Sequence, residues 1–268
     1  MTQSSLILNF FEKVCRSNIY LFLISRYLIG KYFAKIIYDN DFRIIKILEN
    51  CNFFKGKKLI LDIGANDGMS YKIIRKFTSE ARIISFEPNK LNFKSLKKME
   101  LKDKLFTCKK VALSNFKKKQ SFFTPYFKEY AITQLAGLSK SGVKKRLQTS
   151  LHIKELFKKI VLKRELFHTK KLDHYKYKPC LIKIDIEGHE YECILGSLKT
   201  IKKYNPIIMV EYDKIVCDKI YRLLKKLNYQ KYIYNKFKKK VEQYNGQKIF
   251  NIFFINKKDL RILQNDIN

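Results

Sequence analysis

Between Cys180 and Gly196 the chain reads C-L-I-K-I-D-I-E-G-H-E-Y-E-C-I-L-G, setting Lys183, Asp185, Glu187, His189 and Glu190 at the end of a short apolar run. Ionisable groups so close together are costly unless they pair with one another or with a ligand. They offer general acid–base chemistry or oxygen ligands for a hard cation. A second such place is Leu59–Ser70, L-I-L-D-I-G-A-N-D-G-M-S, where an apolar strand carries Asp62 and runs into Gly64 and Gly68. Such a turn lets a ligand approach the backbone, and the following helix aims unpaired N–H groups at it. The spacing G-x-x-x-G is not the G-x-G-x-x-G of dinucleotide binders, and no lysine stands where a P-loop needs one. Glu87, in Phe86-Glu-Pro88, follows Gly64 by 23 residues. A carboxylate there can accept hydrogen bonds from both hydroxyls of a ribose, each worth roughly 1.5–3 kcal/mol. The pair of features points to a nucleoside cofactor. The bland alternatives are an ordinary strand-to-helix turn and a solvated strand end.

The elements around these residues alternate. Strand Leu59–Ile63, a helix through Tyr71–Phe77, strand Arg82–Phe86, helix Asn89–Met99 and a strand over Leu105–Leu113 form a βαβαβ series with short connections. That order implies a doubly wound parallel sheet. Leu181–Ile186 is a further strand, and Pro206–Val210 ends in Glu211-Tyr212-Asp213 at the same edge. Ligands bind at that edge in open α/β sheets. Helix Asp218–Leu227 and strands Lys231–Tyr234 and Ile249–Ile255 complete a seven-stranded, mostly parallel sheet with the last strand antiparallel. Between Ser114 and Lys171 the pattern weakens: Lys117–Phe123 extends as a strand, Gly142–Lys159 has helical spacing, and Val161–Phe167 alternates like an edge strand. Residues 126–167 read as an insertion, either a solvated basic segment or an acceptor-facing lid, with Lys140, Lys144, Lys145, Arg146, Lys154, Lys158, Lys159, Lys163 and Arg164.

Residues 1–55 show helical stripes, one of Leu6, Ile7, Phe10, Phe11 and Val14 and another of Ile36, Ile37, Ile44, Ile45 and Leu48. They predict an N-terminal helical cap on a main domain over 56–268; the sharper alternative is an interfacial membrane helix around Ile19–Phe33. The formal charge is +33, and of 57 basic residues nine are arginine and 48 lysine. The lysines run along the whole chain beside abundant Ile, Asn, Phe and Tyr, all with A- or T-rich codons. Base-composition bias accounts for the charge better than a dedicated polyanion site, and scarce arginine argues against specific nucleic-acid reading. Six scattered cysteines without a C-x-x-C pair read as thiols in a reducing compartment. No signal peptide or membrane span is read. The expectation is a cytoplasmic protein, with peripheral contact at the inner membrane face through the basic N-terminal helices.

Taken together, Asp62-Ile-Gly-Ala-Asn-Asp-Gly68, Phe86-Glu-Pro88, Val111-Ala-Leu-Ser114, Leu172-Asp173, Lys183-Ile-Asp-Ile-Glu-Gly-His-Glu190 with Leu195-Gly196, and Val210-Glu211 resemble the FkbM family of S-adenosylmethionine-dependent methyltransferases. The match covers roughly 57–213. It implies a Rossmann-like class I methyltransferase fold, S-adenosyl-L-methionine as cofactor, and O-methylation of a hydroxyl on a sugar or related glycoconjugate or natural product. By resemblance, Asp62, Gly64, Asn66 and Gly68 line the methionine part, Glu87 the ribose, and Ala112 to Ser114 the adenine edge. Asp185 is expected to be the base or the acceptor orienter, fixed by Lys183 and Glu187, with His189 as the alternative base. No metal ligand is assigned, although a divalent ion between Asp185, Glu187 and Glu211 is the alternative that chelation would test. Valine at Gly64 is expected to abolish cofactor binding and leave the domain folded. A polyanion-binding module and a nucleotide-sugar-modifying enzyme on the same fold are the rival readings. The partner is a small-molecule or glycan acceptor, and the oligomeric state is unassigned.

Overall fold

The computed structural model describes residues 20–21, 39–50, 53–54, 58–150 and 158–260. In chain order these form α1 (Asp39–Asn50), β1 (Leu59–Ile63), α2 (Met69–Phe77), β2 (Arg82–Phe86), α3 (Lys90–Glu100), β3 (Phe106–Lys109), β4 (Ala112–Leu113), β5 (Lys119–Phe127), β6 (Tyr130–Ala131), α4 (Lys140–Ser150) and β7 (Ile160–Lys170). There follow β8 (Pro179–Ile184), α5 (Glu190–Leu195), α6 (Leu198–Tyr204), β9 (Ile207–Glu211), α7 (Lys214–Leu224), β10 (Tyr229–Asn235), β11 (Lys240–Gln243) and β12 (Asn251–Asn256). The chain divides into two units, Met1–Ile37 with Gln120–Leu166, and Tyr38–Lys119 with Phe167–Asn268.

The larger unit is built on a sheet of order β11-β10-β12-β9-β8-β1-β2-β3. β3, β2, β1, β8 and β9 run parallel, and β12 lies antiparallel between β9 and β10. The central strands are continuous apolar runs because both faces are covered. Alternate residues Ile60, Ile83, Leu181 and Met209 pack with Ile44, Ile45 and Leu48 of α1, Ile73 and Ile74 of α2 and Leu96 of α3. On the opposite face Leu61, Ile84, Ile182 and Ile208 pack with Ile194, Ile201, Cys217, Ile220 and Leu224. Each such side chain, fully buried, contributes roughly 1.5–3 kcal/mol. The chain winds outward from β1 to β3 and then returns to the other side of β1 as β8. The switch point of the sheet therefore falls between β1 and β8, where the two chemistry-bearing stretches meet.

The Rossmann-like, mostly parallel architecture is as the sequence indicates, with two differences. The sheet has eight strands rather than seven, because β11 pairs as a hairpin with β10; Lys240-Val-Glu-Gln243 has no apolar run to announce it. The expected strand over Leu105–Leu113 is two: β3 stays in the sheet, whereas β4 leaves it to pair Ala112 with Thr169 and Leu113 with Lys170.

The smaller unit has its own core of Phe127, Ile132, Leu135, Val143 and Leu147. Arg146 of the expected basic cluster turns inward and donates from Nη2 to the Ala136 carbonyl at 3.1 Å, while Lys140, Lys144, Lys145, Lys158, Lys159 and Lys163 are exposed. Lys154 lies outside the described residues, as do the stripe Leu6–Val14, Ile36 and Ile37, and, apart from Tyr20 and Leu21, the segment Ile19–Phe33. Among the described residues no helix is long and apolar enough to cross a membrane.

Candidate active site

Asp62 occupies the inward parity of β1, in register with Ser85 on one neighbouring strand and Lys183 on the other. Burying its carboxyl completely is tolerable only because partners surround it. The Ser70 and Ser85 hydroxyls donate to Oδ2 at 2.6 and 3.0 Å, and the Lys183 ammonium stands 3.3 Å from Oδ1. Lys183 Nζ also donates to the Gly64 carbonyl at 3.1 Å and lies 3.4 Å from Asp185 Oδ2. Burial works against the charge on Lys183, but Asp185 and Asp62 more than offset it and hold its pKa above the ordinary lysine value.

The turn after β1 is pinned to β2 by the amides of Gly64 and Ala65, which donate to the Phe86 carbonyl at 3.0 and 3.2 Å. Gly64 has φ +81°, and a Cβ there would collide with the carbonyl oxygen of Asp185. The glycine is therefore needed for close packing of the two loops against each other. This corrects the expectation for valine at that position: any Cβ disturbs the fold at the β1–β8 junction as well as the ligand turn. Gly68 caps α2 without a side-chain hydrogen bond of its own, and Asp67 Oδ1 takes the Met69 amide at 3.3 Å at the start of that helix.

Glu87 is buried, with Oε2 accepting from the Asn66 amide at 2.9 Å and Oε1 from the Asn89 amide at 2.8 Å. Burial raises its pKa to about 7 against the pull of those two amides and of Lys183. Each oxygen retains a lone pair beyond its single backbone donor. Beside it Asn66 Oδ1 is buried without a hydrogen-bond partner, an omission costing ~1–3 kcal/mol. An open-handed carboxyl and an orphaned acceptor at one turn fit a ligand rich in N–H and O–H groups, such as a nucleoside bearing an amino-acid chain.

On the other side of the switch point, the turn after β8 places Glu187 at φ +58° and Gly188 at φ +93°. Glu190 closes this turn, its Oε1 accepting from the Ile186 and Gly188 amides at 3.1 and 3.0 Å. Asp185, Glu187 and Glu211 each bring a carboxylate oxygen within 4.8 Å of the others. That spacing also suits a hard cation, but nothing beyond the carboxylates themselves points to an ion, and no ligand role is assigned. Burial and the negative charges of Asp185, Glu187 and Glu190 push the Glu211 pKa up to about 8, against Lys183.

His189 turns away from this cluster. Its Nε2 lies 3.0 Å from Ser114 Oγ and its Nδ1 3.5 Å from Glu192 Oε2, and burial lowers its pKa despite Glu192. Ser114 is fully buried, with its amide donating to the Lys170 carbonyl at 2.9 Å and its own carbonyl so close to Gly196 that no Cβ would fit there.

The structure thus brings Asp62, Gly64, Asn66, Gly68 and Glu87 to one turn and joins it to Asp185 through Lys183. Ser114 stands with His189 instead, and Ala112 pairs with Thr169. The sequence reading assigned no partners to Asp62, although the parity of Ser70, Ser85 and Lys183 relative to it was available. Glu211 stands at the expected edge, where the sequence offers it only as a candidate cation ligand with Asp185 and Glu187.

The family described as the methyltransferase FkbM domain matches residues 62–231. No curated protein matches the chain. Among solved structures, a methyltransferase FkbM from Methylobacillus flagellatus KT is 14% identical, the alignment covering 74% of this chain and 43% of that one with a TM-score of 0.46. A precorrin-6y C5,15-methyltransferase from Geobacter metallireducens GS-15 is 11% identical over 80% of this chain and 84% of that one, TM-score 0.39. A human methyltransferase 10 domain containing protein is 9% identical over 81% and 82%, TM-score 0.41. The chain therefore spans less than half the length of the Methylobacillus protein.

Proposed function

The chain belongs to the methyltransferase FkbM family, and from that premise we propose that it transfers a methyl group from S-adenosyl-L-methionine to a hydroxyl of a sugar or a related glycoconjugate or natural product. The observation that carries this reading is the Lys183 ammonium, which touches Gly64 on the cofactor turn and Asp185 on the acidic side. One buried cation thereby fixes both halves of the cleft to each other.

In this reading Asp62, Gly64, Asn66 and Gly68 hold the methionine part, Glu87 receives the two ribose hydroxyls, and Ala112 to Ser114 border the adenine. The cofactor, when bound, supplies an electrophilic methyl on a sulfonium that is already a good leaving group. What remains for the protein is mostly geometry: positioning is worth ~7–11 kcal/mol, and a general base adds roughly 10²–10⁴-fold. Asp185, held by Lys183, orients the acceptor hydroxyl, and Glu187 supports it. His189 has both ring nitrogens engaged by Ser114 and Glu192, which leaves it poorly placed to act as the base. Exposed Lys and scarce Arg support a glycan or small-molecule acceptor over specific nucleic acid.

The test has two arms. Calorimetric titration with S-adenosylhomocysteine should show one site per chain, and label from methyl-tritiated S-adenosylmethionine should pass to at least one member of a panel of methyl glycosides. Absence of cofactor binding would sink the whole reading; binding without transfer to any glycoside would remove the sugar class alone.

A further inference from the structure

Methyl transfer to a neutral hydroxyl releases a proton, and the carboxylates at the sheet edge differ in their freedom to take it. Asp185 is engaged by Lys183 at 3.4 Å. Glu190 spends Oε1 on two backbone amides, and burial raises its pKa. Glu211, the last residue of β9, is exposed, and its carboxylate has no ion pair or hydrogen bond among the described residues, although it stands within 4.8 Å of Asp185 and Glu187. Among the described residues the one cation acting on it from another element is Lys183 of β8, which lowers its pKa without pairing with it. Asn251, opposite it on β12, turns its amide to Asp41 at 2.9 Å. Cys217 on α7 faces only the Glu211 carbonyl, at 3.7 Å.

Resting on the proposed methyl transfer, we infer that Glu211 is the proton acceptor of this site and that Asp185 orients the hydroxyl. The oxygen–methyl bond forms as the sulfur–methyl bond breaks with its electron pair left on sulfur. The hydroxyl proton passes to the Glu211 carboxylate, so the positive charge on sulfur and the negative charge on Glu211 vanish together. The exposed side of Glu211 then returns the proton to water. Its pKa, raised to about 8 by burial and by Asp185, Glu187 and Glu190, suits the work, since a general base is most effective when its pKa lies near the working pH.

Infrared titration of the carboxyl carbonyl stretch tests this without any acceptor, on the full chain saturated with S-adenosylhomocysteine. Beside Glu87, which titrates near 7, wild type should show a second carboxyl titrating near pH 8, absent in Glu211→Gln, still present in Glu87→Gln, and moved to lower pH in Asp185→Asn, which removes one of the charges that raise it. A wild type without that band, or a Glu211→Gln protein that keeps it, overturns the inference. With a methyl glycoside that takes label, the wild-type rate should climb with pH and level off above about 8. Glu211→Gln should lose that limb and at least ~10²-fold in rate, while Asp185→Asn keeps the limb but moves it to lower pH. Loss of wild-type activity in EDTA, restored by Mg²⁺, would make the three carboxylates cation ligands and also overturn it. Failure of S-adenosylhomocysteine to bind wild type would instead strike the proposed function.

Discussion

Replacing Lys183 by methionine keeps the length of the side chain and removes one buried charge with three contacts: Gly64 O at 3.1 Å, Asp62 Oδ1 at 3.3 Å and Asp185 Oδ2 at 3.4 Å. Asp62 remains wholly buried with only two hydroxyl donors, which is the situation in which breaking a buried pair costs ~3–5 kcal/mol. For a unit of this size that corresponds to about 6–20 °C in Tm. The loss should be read by urea unfolding, with an unchanged denaturant slope as the sign that the same surface is exposed. Adding Asp62→Asn should restore part of the loss, with a coupling of about 0.5–3 kcal/mol. A loss below 1 kcal/mol at pH 7, or strict additivity in the double variant, would refute the idea that one ammonium holds the two loops together.

Glu87→Gln should weaken S-adenosylhomocysteine binding by roughly ten- to a hundredfold, the worth of one charge-assisted hydrogen bond at ~1.5–3 kcal/mol, measured by calorimetry. Because the folded pKa of Glu87 is raised to about 7 from 4.5, its contribution to stability is present below pH 4.5 and lost as pH rises through 7; that slope should vanish in Glu87→Gln, and its persistence there would assign it to another group. Gly64→Ala should lower Tm and cofactor affinity together, since the added Cβ meets the Asp185 carbonyl; a variant with unchanged Tm would show that the loops are not packed as described. Ser114→Ala and His189→Ala should be non-additive in unfolding free energy by about 0.5–3 kcal/mol, whereas independent effects would mean that their 3.0 Å contact carries no energy.

The glycine turn was largely legible because it is local: one strand, one turn and one helix within twelve residues, then an acidic strand end. The positions of the parallel strands along the chain followed from hydrophobic runs for the same reason. What escaped is held by contacts between distant segments. Ser114 and His189 are 75 residues apart, and no periodicity relates them. Gly64 announced itself, but the Asp185 carbonyl that requires it came from another strand. β11 escaped for a different reason, since its pairing with β10 is fixed by a hairpin and its side chains are too polar to signal burial.

The adjacency of β1 and β8 has a kinetic consequence. Lys183 and Gly64 are separated by 119 residues, so the contact between them can form only after a long loop has closed, at an entropic cost that short-range contacts do not bear. Strand pairs of such separation slow folding. The lysine contact is therefore expected to form after the glycine turn, which is local in sequence. A ligand that spans the two loops would have little to grip in the folding transition state. It would act by retarding unfolding and leave the folding rate nearly unchanged.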